Sequence, residues 1–192
     1  MRYMLPLLVL FIFTLQACKD SGKPVTTKEI VAPKPPVTPE SDLSVDATRQ
    51  LVNMINNYYG VKDALVNTNG AKADEAASKL MSAAEIFLAQ DSSAKLNPQL
   101  RGNAQDIMKK SEAITTIKVD SIEAKRLEFA GISESLYKLA TAAKLRHAGV
   151  YKEFCPMAFD HKGAFWLSNE SEIKNPYYGK VMMECGEVQD SL

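Results

Sequence analysis

Six side chains with soft or borderline donor atoms fall in one short stretch near the C-terminus: Cys155, Met157, His161, Met182, Met183 and Cys185. Thiolate and thioether sulfur suit monovalent copper, and imidazole suits copper and zinc alike. Met157 follows Cys155 by two positions and Met183 precedes Cys185 by two, so each cysteine has a second sulfur close by in the chain. A copper(I) site built from these six residues is the sharpest chemistry the sequence offers. A zinc set of Cys155, His161 and Cys185 with Asp160 or Glu184 is weaker, because no CxxC knuckle or HExxH helix is present. The same two cysteines can instead close a single disulfide, whose loop of roughly thirty residues would stabilise the segment by about 3 kcal/mol. The methionines would then pad an aromatic cluster. Both readings stay open at the level of sequence.

Catalysis is not expected. Cys155 and His161 are the residue types of a thiol nucleophile and its base, but no family signature surrounds them and no orienting Asn or Asp stands out. Paired carboxylates, a glycine-rich phosphate loop and a Gly-x-Ser-x-Gly elbow are also missing.

The N-terminus narrows what the third cysteine does. Arg2 is followed by an apolar run over residues 5–15, too short to span a bilayer as a helix and typical of a signal-peptide core. The run ends in Leu15-Gln16-Ala17-Cys18, which is similar to the bacterial lipobox. That resemblance implies lipidation of Cys18, with multiple acyl chains giving stable membrane attachment. An exported domain permits disulfides, and assigning Cys18 to the anchor leaves Cys155 and Cys185 as a pair. Lys19 after the anchor favours the periplasmic face of the outer membrane if the cell is Gram-negative. Lys+Arg and Asp+Glu both number 23, with no basic block or stripe, so nothing points to nucleic acid.

The elements that must position the sulfur residues follow from pattern. Five of the nine prolines (Pro24, Pro33, Pro35, Pro36 and Pro39) fall between the anchor and residue 43, the composition of a semi-extended linker. A helix is expected over 45–66, capped by Ser44 and stopped by Asn67-Thr68-Asn69-Gly70. A second is expected over 71–90, with Ala73, Ala77, Leu80, Ala84, Phe87 and Leu88 as its apolar stripe. A third opens at Asn97-Pro98 and carries Leu100, Ala104, Ile107, Met108 and Ile114. The fourth is expected from Asp120, with Glu123 in capping-box relation, through Leu127, Phe129, Leu136, Leu139 and Ala143 to about His147. Met54, Met81 and Met108 lie in these stripes and read as core. After Gly149 the prolines, glycines and aromatics exclude a long helix, and alternation over residues 163–167 suggests a small β element.

The expected fold is therefore all-α, an antiparallel four-helix bundle with a small, aromatic, turn-rich C-terminal cap and a short β-hairpin as an option within it. The expected organisation is a lipoprotein signal peptide over 1–17, a lipid-anchored linker over 18–43, the bundle over 44–148 and the cap over 149–192.

Several strings resemble a known family. They are Arg126-Leu127-Glu128-Phe129 with Ser133, Leu136 and Tyr137, then Cys155-Pro156-Met157-Ala158 and Trp166-Leu167-Ser168. Ile173, Asn175-Pro176-Tyr177-Tyr178-Gly179, Met182 or Met183, and Cys185-Gly186 complete the set. Over about residues 45–189 the chain resembles a bacterial domain of unknown function. That domain occurs as standalone exported lipoproteins and fused to periplasmic adaptor subunits of copper/silver-type efflux systems. The resemblance implies heavy-metal handling in the cell envelope, with an efflux adaptor or other envelope protein as partner. The leading expectation is a lipoprotein that binds, buffers or hands over copper(I). The alternative is a non-metal interaction module whose Cys155–Cys185 pair is a disulfide and whose cap, with Trp166, Tyr177 and Tyr178, presents a docking face.

Overall fold

The computed structural model of the chain describes residues 38–90 and 96–192. Four long helices pack consecutively: α1 (Val45–Val66), α2 (Gly70–Ala89), α3 (Pro98–Thr116) and α4 (Ile122–Ala142). Their starts follow from capping chemistry. Ser44 accepts from the Ala47 amide, Asn69 from Lys72 and Asn97 from Leu100, each satisfying an N–H that the first helical turn leaves unpaired. The expected capping box at α4 does not form. Its N-cap is Ser121, without a side-chain hydrogen bond, and Glu123 pairs with Arg126 instead. The same helix ends at Ala142, earlier than expected, because Lys144 takes positive φ and the Leu145 amide turns back to the Ala140 carbonyl.

The expected stripes form the core. Leu51, Met54, Ile55 and Tyr58 of α1 meet Ala77, Leu80, Ala84 and Phe87 of α2, with Leu100, Ala104, Ile107 and Ile114 behind them. Met108 packs against this core, whereas Met81 is half-buried. Leu127, expected in the α4 stripe, is 60% exposed; the inner face of α4 runs through Phe129, Ile132, Leu136 and Leu139. Lys125 is fully buried, and its ammonium donates to Asp74 of α2 and to the Ile114 and Ile117 carbonyls at the end of α3. A cation there satisfies carbonyls that the end of α3 leaves open and sits at the negative pole of its dipole.

The C-terminal segment goes beyond a hairpin. It is a three-stranded antiparallel sheet in the order β2-β1-β3, formed by β1 (Tyr151–Cys155), β2 (Ala164–Ser168) and β3 (Glu187–Ser191). Aromatic contacts fasten it to the helices. Tyr58 stacks on Phe129 at 4.9 Å, Phe129 meets Tyr177 at 6.0 Å, and Tyr177 meets Trp166 at 5.8 Å. The Tyr58 hydroxyl pairs with Ser133 Oγ at 2.7 Å and accepts the Leu167 amide of β2 at 3.0 Å. Trp166 and Tyr177 are therefore interior residues, and of the three aromatics expected on a docking face Tyr178 alone is half-buried.

Residues 40–42, assigned to the linker by composition, are part of this fold. Glu40 and Arg146 exchange two backbone hydrogen bonds, and the Asp42 amide donates to the Ala143 carbonyl. At the other end Leu192 pairs in both directions with Val150. Cys18, the signal segment and the linker up to residue 37 lie outside the described residues. Among those described, no helix is long and apolar enough to cross a membrane.

Candidate functional site

Cys155 ends β1, opposite Ala164 of β2, and Cys185 sits just before β3. The β1–β3 pairing therefore brings the two cysteines to one corner of the sheet. Their sulfurs are 2.9 Å apart. Cys155 is fully buried and Cys185 half-buried.

Asn175, also fully buried, organises the chain that delivers Cys185. Its amide donates to the Met183 carbonyl, its Nδ2 to the Cys185 carbonyl, and its Oδ1 accepts from the Tyr177 amide, all at 2.8 Å. The following turn closes with the Gly179 amide on the Asn175 carbonyl. Gly179 has φ of +56°, and a Cβ there would lie 2.8 Å from both Thr68 Oγ1 and the Val66 carbonyl oxygen. Only glycine fits both the left-handed backbone and this close approach to the end of α1.

On the Cys155 side, residues 157–163 make a tight turn. Phe159, Asp160 and His161 all have positive φ, a conformation that side chains with a Cβ adopt only where surrounding contacts enforce it. The Phe159 ring packs edge-on to Tyr177 at 5.2 Å, and the Tyr178 hydroxyl donates to the Met157 carbonyl at 2.6 Å. The hydrogen bond with Cys155 raises the Cys185 thiol above its usual range and burial adds to this, while the Met157 amide works in the opposite direction.

Of the six sulfur and imidazole residues singled out by sequence, Cys155 and Cys185 meet sulfur to sulfur. Met157 contributes backbone groups beside the pair. Met182 is half-buried and accepts the Cys185 amide on its carbonyl, while Met183 lines a separate cleft with Lys62, Asp63 and Lys174. His161 is exposed. Among the described residues no three His, Cys, Asp or Glu side chains form a group that could hold a metal. Two thiolates on one tetrahedral ion, with metal–sulfur bonds of about 2.3 Å, stand about 3.8 Å apart. The 2.9 Å separation of the Cys155 and Cys185 sulfurs is shorter than that.

Two residues near the site are not singled out by sequence reasoning. Asn175 enters the sequence analysis only within the resemblance and turn strings, although its Nδ2 holds the Cys185 carbonyl and its amide the Met183 carbonyl. Glu153 alternates with Cys155 along β1, so strand periodicity could have placed both on one buried face.

Residues 54–147 match the model of a family described as a protein of unknown function, DUF3347. The match begins within α1 and ends in the turn after α4, so it covers the helices and stops short of the cysteine cap. No curated protein and no solved structure matches the chain.

Proposed function

We propose that this chain is a non-catalytic, lipid-anchored protein of the cell envelope, a helical interaction module whose cap is closed by a Cys155–Cys185 bridge. The observation that carries the bridge is the 2.9 Å sulfur separation with Cys155 fully buried. Forming the bond requires a small approach of groups already in place, whereas seating an ion requires them to part. The lipobox-like Leu15-Gln16-Ala17-Cys18 string supports the anchor and an oxidising compartment in which such a bridge persists. The DUF3347 match over residues 54–147 assigns no chemistry.

Counting free thiols in full chain purified from the envelope under non-reducing conditions tests the bridge. None at Cys155 and Cys185 supports it. Two free thiols, together with copper(I) binding that a competing chelator fails to strip and that Cys155→Ser/Cys185→Ser abolishes, would replace it with the soft-metal reading.

A further inference from the structure

Glu153 is a fully buried carboxylate in the middle of β1, and neither of its side-chain oxygens has a hydrogen-bond partner. Its register partner across the β1–β2 ladder is Trp166, whose indole Nε1 is likewise buried and unpartnered. The indole N–H set against the carboxyl across the ladder favours its charged form, while burial, the larger effect, favours the neutral one. An unpartnered buried charge is far more expensive than an unpartnered neutral acid, so the site favours a carboxyl that keeps its proton.

The groups around Glu153 are few. Lys62 and Tyr59 approach from α1, Trp166 from β2, and Glu170 and Lys174 from the segment after β2; β3 places Val188 opposite. Lys62 is itself buried and pairs with the exposed Asp63 at 3.0 Å. Lys62, Asp63, Glu170 and Lys174 also line a cleft of about 520 Å³ between α1 and that segment. The one cation able to compensate an ionised Glu153 from α1 is therefore engaged elsewhere, at the rim of an adjoining cleft.

We propose that Glu153 is a proton-controlled latch between the sheet and α1. With its proton it lies neutral against the Trp166 indole, and Lys62 stays on Asp63. Without it, the carboxylate competes with Asp63 for the Lys62 ammonium at the rim of the cleft.

Trp166 is the chain's one tryptophan, so its fluorescence reads this spot alone. In the full chain, emission should titrate in a single step near pH 7, well above the usual carboxylate range. Acrylamide quenching of that emission should rise about twofold across the step. Glu153→Gln should abolish both changes. Lys62→Met should move the midpoint upward, since Lys62 favours the charged form, and His147→Gln/His161→Gln should leave it in place. If Glu153→Gln does not fold, carbon NMR of the Glu153 carboxyl in the unaltered chain gives its midpoint directly. A carboxyl midpoint near 4.5, a step that survives Glu153→Gln, or a step lost with the histidines overturns the assignment. A titration without any change in quenching overturns the latch.

Discussion

Arg126 of α4 donates from Nε to the carbonyl of Pro176, 2.8 Å away and 50 positions along the chain. The same guanidinium reaches the Leu65 carbonyl and Thr68 Oγ1 beyond the end of α1. One planar fork thus clamps two helices to the turn that carries the chain toward Cys185, a geometry that lysine cannot reproduce.

Arg126→Ala should therefore destabilise the protein by about 2–3 kcal/mol, because it leaves buried carbonyls without donors. Arg126→Lys should fall between the two, keeping the charge and losing the fork. Urea unfolding followed by far-ultraviolet circular dichroism measures both. A loss below about 0.5 kcal/mol in Arg126→Ala would show that the cap holds to the bundle without it.

The cysteine pair predicts a stability that depends on reductant. Closing a loop between positions 30 apart should contribute about 3–4 kcal/mol by restricting the unfolded chain. Adding reductant should lower the urea midpoint of the unaltered chain and leave that of Cys155→Ser/Cys185→Ser unchanged. Equal midpoints with and without reductant in the unaltered chain would remove the bridge.

Glu153 predicts a stability that falls as pH rises. Burial lifts its carboxyl from 4.5 to about 7, so between those values the unfolded chain releases a proton that the folded chain keeps. The contribution is complete below pH 4.5, declines through the interval and is gone above pH 7. Exposed Glu75 and Glu170, held low by Lys79 and Lys174, act with opposite sign and only below this window. Thermal midpoints from pH 4.5 to 8 should decline in the unaltered chain and much less in Glu153→Gln, which should be the more stable of the two at pH 8. Parallel curves for the two proteins would show that Glu153 titrates normally.

Two glycines should respond in opposite ways. Gly179→Ala forces a Cβ into a left-handed position against the Val66 carbonyl and Thr68, and should lose about 1–3 kcal/mol. Gly102 lies inside α3, and a methyl group on its Cα would meet nothing within 4 Å. Gly102→Ala should therefore gain up to about 1 kcal/mol from helix propensity. Both are read from urea midpoints, and a loss in Gly102→Ala would contradict the open space seen there.

The helices are legible in the sequence because their signals are local. Ser44, Asn69 and Asn97 each cap the helix they precede, and the apolar stripes set the buried faces. The start of α4 departs from its capping pattern because Glu123 has a stronger partner in Arg126 than in the backbone of the turn before it. Side-chain pairing there overrides the local signal. β3 gives no signal at all: Glu187-Val188-Gln189-Asp190-Ser191 is exposed throughout, so no alternation records its pairing with β1. Parity of the cysteines suggests a pair, but the 2.9 Å approach depends on that silent strand. Glu153 shares its strand face with Cys155, but a lone acid in a short strand ordinarily faces water, so residue type argues against the burial that periodicity allows.

The pairings at the two ends of the domain carry a mechanical consequence. Glu40 and Asp42 fasten to residues 143–146, and Leu192 fastens to Val150, so both ends of the fold are tied to one short segment between α4 and β1. A pull entering at residue 38 and resisted at residue 192 would load that segment first. The stacked aromatics and the helical core would lie outside the line of force. The first event under tension should be the unzipping of the Glu40–Arg146 bridge, which frees a few residues while the cap and its cysteines stay folded.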